Sequence, residues 1–154
     1  MAQLTHDRGT QYSLGDLLAV PVAAGQCIYS GALVASNDSG YAVPASDSSG
    51  LVFEGVAVER ADNSDGADGD VNVIVRRRGR YLFAAQSPLD ESARSAPAYA
   101  VDDQTVEADG SQVSNSVQVG VIDRIENPGE CWISVDADVL NTRTWSEPTT
   151  TTTT

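Results

Sequence analysis

The sequence predicts an all-β protein: a compact small barrel or sandwich of short antiparallel strands, with at most one short helix and with extended N- and C-terminal arms. Glycines cut the stretch from Ala23 to Arg60 into apolar runs of strand length, and they stand at positions 25, 31, 40, 50 and 55. Turn residues at this spacing are typical of an all-β domain. Near the end of the chain, two runs alternate between apolar and polar residues, which is the period of a strand with one buried face.

The first part of the chain is expected to hold an arm followed by a block of hairpins. Residues 1–13 mix polar groups with Leu4 and have no useful periodicity, so they are predicted to form an N-terminal arm. Leu17 to Val22 is the first predicted strand. Pro21 places it at a sheet edge or ends it, because proline cannot donate a ladder hydrogen bond. The next predicted strands are the runs QCIY, ALVA, YAVP and LVFEGVAVER.

The middle of the chain is predicted to hold a loop, two strands and a short helix. Residues 61–70, with the sequence ADNSDGADGD, are expected to form a solvated acidic hairpin loop. The runs at 71–75 and 81–85 are the next strands. The run SPLD at residues 87–90 has the marks of a helix start, with Ser87 as the cap and proline at the first helical position. Pro97 limits this helix to two turns.

The last two predicted strands form the clearest pair. Each carries apolar residues at every second position and is expected to bury that face, and the turn between them lies in the run ENPGEC. The inward positions are Val117, Val119 and Val121 on one strand and Cys131, Ile133, Val135 and Ala137 on the other.

The composition changes after Leu140 to a Thr-rich tail, which cannot bury enough apolar surface to fold by itself. The predicted organisation is therefore an N-terminal arm over residues 1–13, one β-domain over 14–140 and a C-terminal tail over 141–154.

Charge and hydropathy exclude two classes of partner. The formal net charge is −13, and the nine basic residues are all arginines. Such a chain repels duplex DNA, so no nucleic-acid partner is expected. No apolar run approaches the roughly 20 residues of a membrane-spanning helix, and the first residues lack the pattern of a signal peptide. No membrane partner is expected either.

No cofactor or structural metal is expected. Cys27, Cys131 and His6 are too few and too scattered to supply the three or four ligands of a zinc site. The acidic loop at residues 62–70 contains aspartates, but not in the register of an EF-hand, which leaves open only adventitious cation binding.

The chain is not expected to be an enzyme. His6 is a poor general base for a serine or cysteine nucleophile, because nothing nearby would hold its ring in place. The run GVIDRIENPGE resembles the third motif of trimeric dUTP pyrophosphatases, but five residues separate Asp123 from Gly129, and the tyrosine of that motif and an Arg-Ser-Gly motif are absent. Asp123 is interpreted as a turn acid at a strand end.

A longer likeness runs over residues 12–139. The text AGQCIYSGALVASNDSGYAVPASDSSGLVFEGVAVE, followed by VNVIVRRRGRYLF, VQVGVID and CWISV, resembles the small capsid cement, or head decoration, proteins of tailed phages. The resemblance implies a structural protein of the virion, on the outer surface of the capsid. Its implied partners are the major capsid protein and further copies of itself, as a homotrimer. The alternative from another class is a carbohydrate- or receptor-binding module of a phage tail or fibre.

The resemblance also bears on the cysteines, since phage proteins are made in the host cytoplasm, where thiols stay reduced. A disulfide between Cys27 and Cys131 would tie the first strands to the last. Two buried reduced thiols that act as small apolar residues are favoured over that disulfide.

The candidate partner-binding residues include four of the nine arginines. Arg76, Arg77, Arg78 and Arg80 lie within five residues of an otherwise acidic chain, and Gly79 is expected to allow a turn that projects several guanidinium groups together. One hypothesis is a docking contact with an acidic surface of the capsid or of a sister subunit. The main alternative is local neutralisation of the protein's own Asp-rich loops, and contact with nucleic acid is a lesser one.

Trp145 is the remaining candidate. It is a single tryptophan in a polar tail, so it is predicted to fill a pocket on an adjacent subunit and to anchor the tail there. The alternative is that the tail packs back along its own barrel.

Overall fold

The computed structural model describes residues 2–140 together with Arg143 and Trp145. These residues form twelve β-strands, one four-residue α-helix and two short 3₁₀ helices. In chain order the strands and the α-helix are β1 (Leu17–Pro21), β2 (Cys27–Ile28), β3 (Leu33–Ser36), β4 (Ala42–Pro44), β5 (Val52–Ala57), β6 (Ala61–Asp62), β7 (Asn72–Arg76), β8 (Arg78–Ala85), β9 (Pro97–Ala100), β10 (Thr105–Glu107), β11 (Gln118–Asn127), β12 (Glu130–Asp136) and α1 (Ala137–Leu140).

The first layer is a five-stranded antiparallel sheet with the strand order β1-β7-β5-β3-β4. Strand β1 pairs only with β7, so it lies at the sheet edge and ends at Pro21, as the sequence predicted. The short pair β2–β6 adds a second sheet beside it. Val34, Val73 and Val75 of the large sheet join Ile28 and Ala61 of this pair in one buried cluster.

The second layer is a closed barrel in which β10, β8, β12, β11 and β9 follow one another around the ring. Four of its neighbouring pairs are antiparallel, and the pair β8–β10 is parallel. This exception follows from the count of strands, because directions that alternate around a ring of five must meet once in parallel. The predicted all-β class and the compact barrel or sandwich are confirmed.

The larger buried cluster lies between these two layers. Leu33 and Phe53 reach it from the sheet, while Phe83 and Ile133 reach it from the barrel. All four residues of β3 are buried, because one face of that strand contacts the barrel side and the other contacts the β2–β6 side. The sheet is therefore the middle layer of the domain.

The predicted helix start at Ser87 is wrong. Asp90 caps a 3₁₀ helix at Glu91–Ala93, where its side chain accepts a hydrogen bond from the Ser92 amide at 2.9 Å. Ser87 instead donates its hydroxyl to the buried carboxylate of Glu107 at 2.7 Å. The helix cap is therefore Asp90, three residues after Ser87.

The loop at residues 61–70 is more structured than a solvated hairpin loop. Its first two residues form β6, and Asn63 is buried. The Asn63 side-chain nitrogen, Nδ2, lies 3.1 Å from the Val22 and Ala23 carbonyl oxygens and 2.8 Å from the Ala67 carbonyl oxygen. The side chain therefore holds the loop against the end of the first strand.

The closing pair β11–β12 is confirmed, with one change of register. The four predicted inward positions of β12 and its continuation, from Cys131 to Ala137, are all buried. Val117 just before β11 and Val119 within it are buried, but the next buried side chain is Ile122 instead of Val121. The pairing of β11 with β9 shifts between Gln118 and Gly120, and this bulge moves the buried face by one residue.

Both cysteines carry free thiols in this structure. Cys131 is buried in β12, and burial raises its pKa to about 11, so its thiol stays protonated at neutral pH. Cys27 in β2 is only half-buried, which differs from the expected pair of buried thiols.

Residues 2–13 are exposed throughout and belong to no helix or strand. Among the described residues, no helix has the length and apolar character needed to cross a membrane.

We expect Gly55→Ala to destabilise the domain by about 2–4 kcal/mol. Gly55 has φ of +147°, and an added Cβ would lie 2.6 Å from the Arg76 carbonyl oxygen. Gly40→Ala is the matched control, since Gly40 also has positive φ but has no atom within 4 Å of the added Cβ. The free energy of unfolding, measured with urea, should fall clearly more for Gly55→Ala. Equal losses would mean that the close approach to Arg76 costs nothing.

Candidate partner-binding site

The arginine cluster lies where the chain crosses from the sheet to the barrel. Strand β7 ends at Arg76 and β8 begins at Arg78, so Arg77 is the single residue between the two layers. Gly79 lies inside β8, opposite Val135, and the turn predicted there is absent from this strand. Arg78 and Arg80 share a face because of the two-residue period of the strand.

Arg77 is largely buried, with 15% of its side chain exposed. Its guanidinium donates to the Glu54 carboxylate at 3.0 Å and to the Glu54 carbonyl at 2.9 Å. The same group donates to the carboxylate of Asp138 in α1 at 3.0 Å. Arg77 therefore connects strand β5 of the sheet to the helix that follows the barrel.

The backbone of Arg77 strengthens this connection. Its amide donates to the Asp16 carbonyl just before β1, at 2.8 Å, and its carbonyl accepts from the Ala137 amide at 2.9 Å. The start of the first strand and the start of α1 are thus fixed to the same residue.

Arg78 and Arg80 form ion pairs on the surface of the barrel. Arg78 contacts Asp138 at 3.1 Å and Asp136 at 3.8 Å, and Arg80 contacts Asp123 at 3.1 Å. The hydrogen bond from Arg77, together with those of the neighbouring Arg78, holds the pKa of Asp138 below its usual range.

Arg76 differs from the other three arginines. Its side chain is exposed, and among the described residues no carboxylate lies within ion-pair distance of it. Arg76 lines a cavity of about 340 Å³ at the junction of sheet and barrel, together with Val58, Tyr81 and Leu82. Val58 and Leu82 are exposed apolar residues, so an unpaired cation lies beside accessible apolar surface.

Two β-bulges aim carboxylates at the cluster. In the pairing of β5 with β3, Gly55 lies opposite Val34 and Phe53 opposite Ala35, which leaves Glu54 as the extra residue. In the pairing of β11 with β12, Asp123 is the extra residue in the same way. Because a bulge redirects the side chain of its extra residue, Glu54 reaches Arg77 and Asp123 reaches Arg80. Asp123 thus lies within a strand, and its interpretation as an acid at a strand end is wrong.

The polar network of Arg77 continues to the C-terminal segment. Ser36 donates to Glu54 at 2.8 Å, and Arg143 lies 3.2 Å from the Ser36 hydroxyl and 2.8 Å from the Asn37 carbonyl. Arg143 therefore contacts its own sheet near the β3–β4 turn. Trp145, two residues further on, is 75% exposed, and its anchoring role stays a prediction. The other tail residues from 141 onward lie outside the described residues.

Two other aromatic residues are partly covered by the chain's own arginines. The Arg124 guanidinium lies 5.0 Å from the Trp132 ring centre, and the Trp132 indole donates to Glu126 at 2.9 Å. Arg60 lies 5.2 Å from the Tyr29 ring centre. These contacts reduce the free ring faces that a sugar-stacking platform needs.

The acidic side chains of the described residues do not converge on a metal site. No group of three or more His, Cys, Asp or Glu residues in this part of the chain is arranged to hold a metal ion. In the loop at 61–70, Asp68 accepts from the Ala24 amide and Asp70 from the Ala67 amide, so their oxygens brace the loop.

Three of the four predicted arginines are thus brought together with carboxylates of the same chain. The partners are strand and helix residues, namely Glu54, Asp123, Asp136 and Asp138, and they do not belong to the Asp-rich loops that the alternative named. The available sequence signal was the glycine after Glu54, because glycine inside a strand often marks a bulge.

Comparison of the chain with protein-family models, with curated proteins and with solved structures gave no match.

We expect Arg77→Gln to lower the free energy of unfolding by about 2–3 kcal/mol, because it leaves the half-buried carboxylate of Glu54 without its cation. Arg80→Gln is the matched control. It removes an exposed pair with Asp123 and should cost less than about 1 kcal/mol. Urea unfolding followed by circular dichroism measures both. Similar losses for the two variants would contradict the joining role of Arg77.

The stability contributed by Asp138 should depend on pH. Its pKa is lowered in the folded state, so this stability is complete at neutral pH and is lost as the pH falls below about 4. Asp138→Asn removes the charge at every pH. The difference in melting temperature between the natural chain and Asp138→Asn should therefore be largest near pH 7 and shrink towards pH 2. A difference that stays constant over this range would rule out the ion pairs as its cause.

Proposed function

We propose that this chain is a capsid cement protein of a tailed phage. In this proposal it binds the outer surface of the capsid as a homotrimer and stabilises the shell by bridging neighbouring subunits of the major capsid protein. The observation that carries the proposal is the exposed surface at the junction of sheet and barrel, where the unpaired Arg76 lies beside Val58 and Leu82. The resemblance over residues 12–139 supports the same function.

The electrostatics of this surface suit docking on an acidic partner. The chain carries a net charge of −13, so most of its surface repels another acidic protein. The arginine cluster is the local exception, and Arg76 can form a new ion pair without breaking one within the described part of the chain. Arg78 and Arg80 are exposed and can exchange their present carboxylates for those of a partner at small cost, because surface ion pairs contribute little.

Arg77 does not belong to the docking surface in this proposal. Its guanidinium is largely buried and already holds Glu54 and Asp138. The residues assigned to docking are therefore Arg76, Arg78 and Arg80 at the junction, with Trp145 as an exposed anchor on the C-terminal segment.

A trimer would raise the binding affinity that such a surface gives. Each docking contact is small, but three copies linked to one another present three contacts at once. The effective concentration of the second and third contacts raises the total affinity well above that of one copy. A compact β-domain suits this task because its contacts keep fixed positions relative to one another.

The copy number on purified phage heads tests the proposal. The chain should sediment with expanded empty heads at a copy number comparable with that of the major capsid protein. Heads decorated in this way should withstand heating better than bare heads. A few copies per particle, found on tails or fibres, would reject a cement function in favour of a tail or fibre module.

Substitutions test which residues dock. We expect Arg76→Ser combined with Arg80→Ser, and separately Trp145→Ala, to lower head occupancy while leaving the melting temperature nearly unchanged. The loss for the arginine variant, relative to the natural chain, should be largest at low salt and shrink as the salt concentration rises, because salt screens ion pairs at the rim. Arg94→Ser, which removes an exposed arginine paired with Glu91 elsewhere on the barrel, is the control. If the arginine variant occupies heads as fully as the natural chain at every salt concentration, the junction is excluded as the docking surface.

A further inference from the structure

The N-terminal arm carries apolar side chains that nothing in the described part of the chain covers. Every residue from 2 to 19 is exposed. Within residues 2–14, Leu4, Tyr12 and Leu14 are among the most exposed large apolar residues of the described chain, with Tyr12 at 85% and Leu14 at 74%. Tyr12 and Leu14 are two residues apart, so they lie on one side of an extended segment.

The edge of the five-stranded sheet is uncovered as well. Strand β1 has β7 on one side and no strand on its other side within the described residues. Leu17 is 54% exposed, and Leu18 on the opposite face is also exposed. On the Leu17 side, Ala19 pairs with Ile74, and the Val58 amide donates to the Ile74 carbonyl, so apolar residues continue inward from the edge. This surface, made of Leu17, Leu18, Ala19, Ile74 and Val58, is called the open edge below.

We propose that the N-terminal arm of one copy binds the open edge of a second copy. The segment concerned is the described part of the arm together with Leu14, residues 2–14, and it is called the arm below. It adds an extended segment beside β1 of the neighbour, and Tyr12 and Leu14 cover the neighbour's apolar edge residues. This inference deepens the self-association in the proposed function and rests on that part of it, but it does not depend on the capsid.

Strand addition suits both the arm and the open edge. An unpaired edge strand offers a row of backbone N–H and C=O groups that an extended segment can pair with, and side-chain contacts on alternate positions then add specificity. In a single chain the apolar residues of the arm and of the open edge both contact water. Exchange between copies removes both sets from water at once, and apolar burial is the main favourable term in such association.

The reach of the arm is sufficient. An extended segment of 13 residues spans at most about 43–47 Å. A domain of this size has a radius of gyration of about 15 Å. The arm is therefore long enough to cross onto a neighbouring copy, and repetition of the same contact around a ring gives a closed assembly.

The charge of the arm makes it better suited than the rest of the acidic surface to bind another copy. The arm contains Asp7 and Arg8 and no other Asp, Glu or Arg, so its net charge is zero in a chain of −13. Two copies that meet through acidic surfaces repel each other, whereas the arm approaches the neighbour without adding to that repulsion. Arg76 lies close to the open edge, and Asp7 is the only side-chain carboxylate in the arm that can pair with it.

The test is the oligomeric state of the purified chain without phage heads, measured by light scattering after size-exclusion chromatography over a range of concentrations. The full chain should associate. Deletion of residues 2–14 should weaken association at least tenfold, and so should Leu17→Ser combined with Leu18→Ser, because each removes one side of the apolar contact. Val139→Ser is the control, since Val139 is also an exposed apolar residue and is not part of the open edge.

Amide hydrogen exchange provides a second readout and guards against misfolded variants. The amides of β1 should exchange more slowly in the associated full chain than in the arm deletion, while those of β3 stay protected in both. An associated state that survives the deletion would overturn the proposal, as would a full chain that remains monomeric. A monomer whose arm deletion lowers head occupancy would assign the arm to the capsid protein instead. Loss of head binding with the association intact would overturn only the cement function.

Discussion

The ion pairs of Arg77 join the two layers of the domain. The five-stranded sheet and the barrel share an apolar interface, but apolar contact is non-directional and does not by itself fix how one layer sits on the other. Arg77 supplies that fixed point, because its guanidinium holds Glu54 of the sheet and Asp138 of α1, and its backbone holds Asp16 and Ala137. A partly buried cation with two carboxylates has one well-defined arrangement, whereas valines and leucines can repack at little cost.

The bulges make this arrangement possible in a chain of strands. In a regular strand, residue 54 would have to face either the core or the solvent in step with its neighbours. The extra residue in β5 breaks that alternation and lets the Glu54 carboxylate lie at 3.0 Å from the guanidinium while Phe53 and Val56 stay buried. In β11, Asp123 is likewise the extra residue of a bulge, and its carboxylate pairs with Arg80. The local disruption of the ladder is thus offset by charge-assisted hydrogen bonds at the same place.

The sequence predicted those parts of the fold that depend on local pattern. The alternation of apolar and polar residues predicted the buried face of β12, and Pro21 predicted the edge position of β1. The missed features depend on contacts between distant residues. The parallel pair β8–β10 follows from closing a ring of five strands, and the Ser87 hydroxyl binds Glu107, which is 20 residues further along the chain. For the site, the sequence located the arginines but not their carboxylates, because no periodicity marks the residue that a bulge turns outward.

The four arginines differ in burial, so adjacent like charges in the sequence do not form one surface in the fold. Four adjacent cations in an acidic chain suggest one surface with one task, but burial separates them. Arg77 is buried deeply enough that its pairs determine the joint between the layers, while Arg78 and Arg80 hold carboxylates in exposed pairs that exchange easily with a partner or with water. Arg76 lies beside apolar surface and has no carboxylate within ion-pair distance in the described residues, so the proposed docking can use it without breaking a pair of the described chain. In the proposed function, one run of sequence therefore serves cohesion at its centre and recognition at its margins, because the crossing from sheet to barrel buries only the residue in the middle.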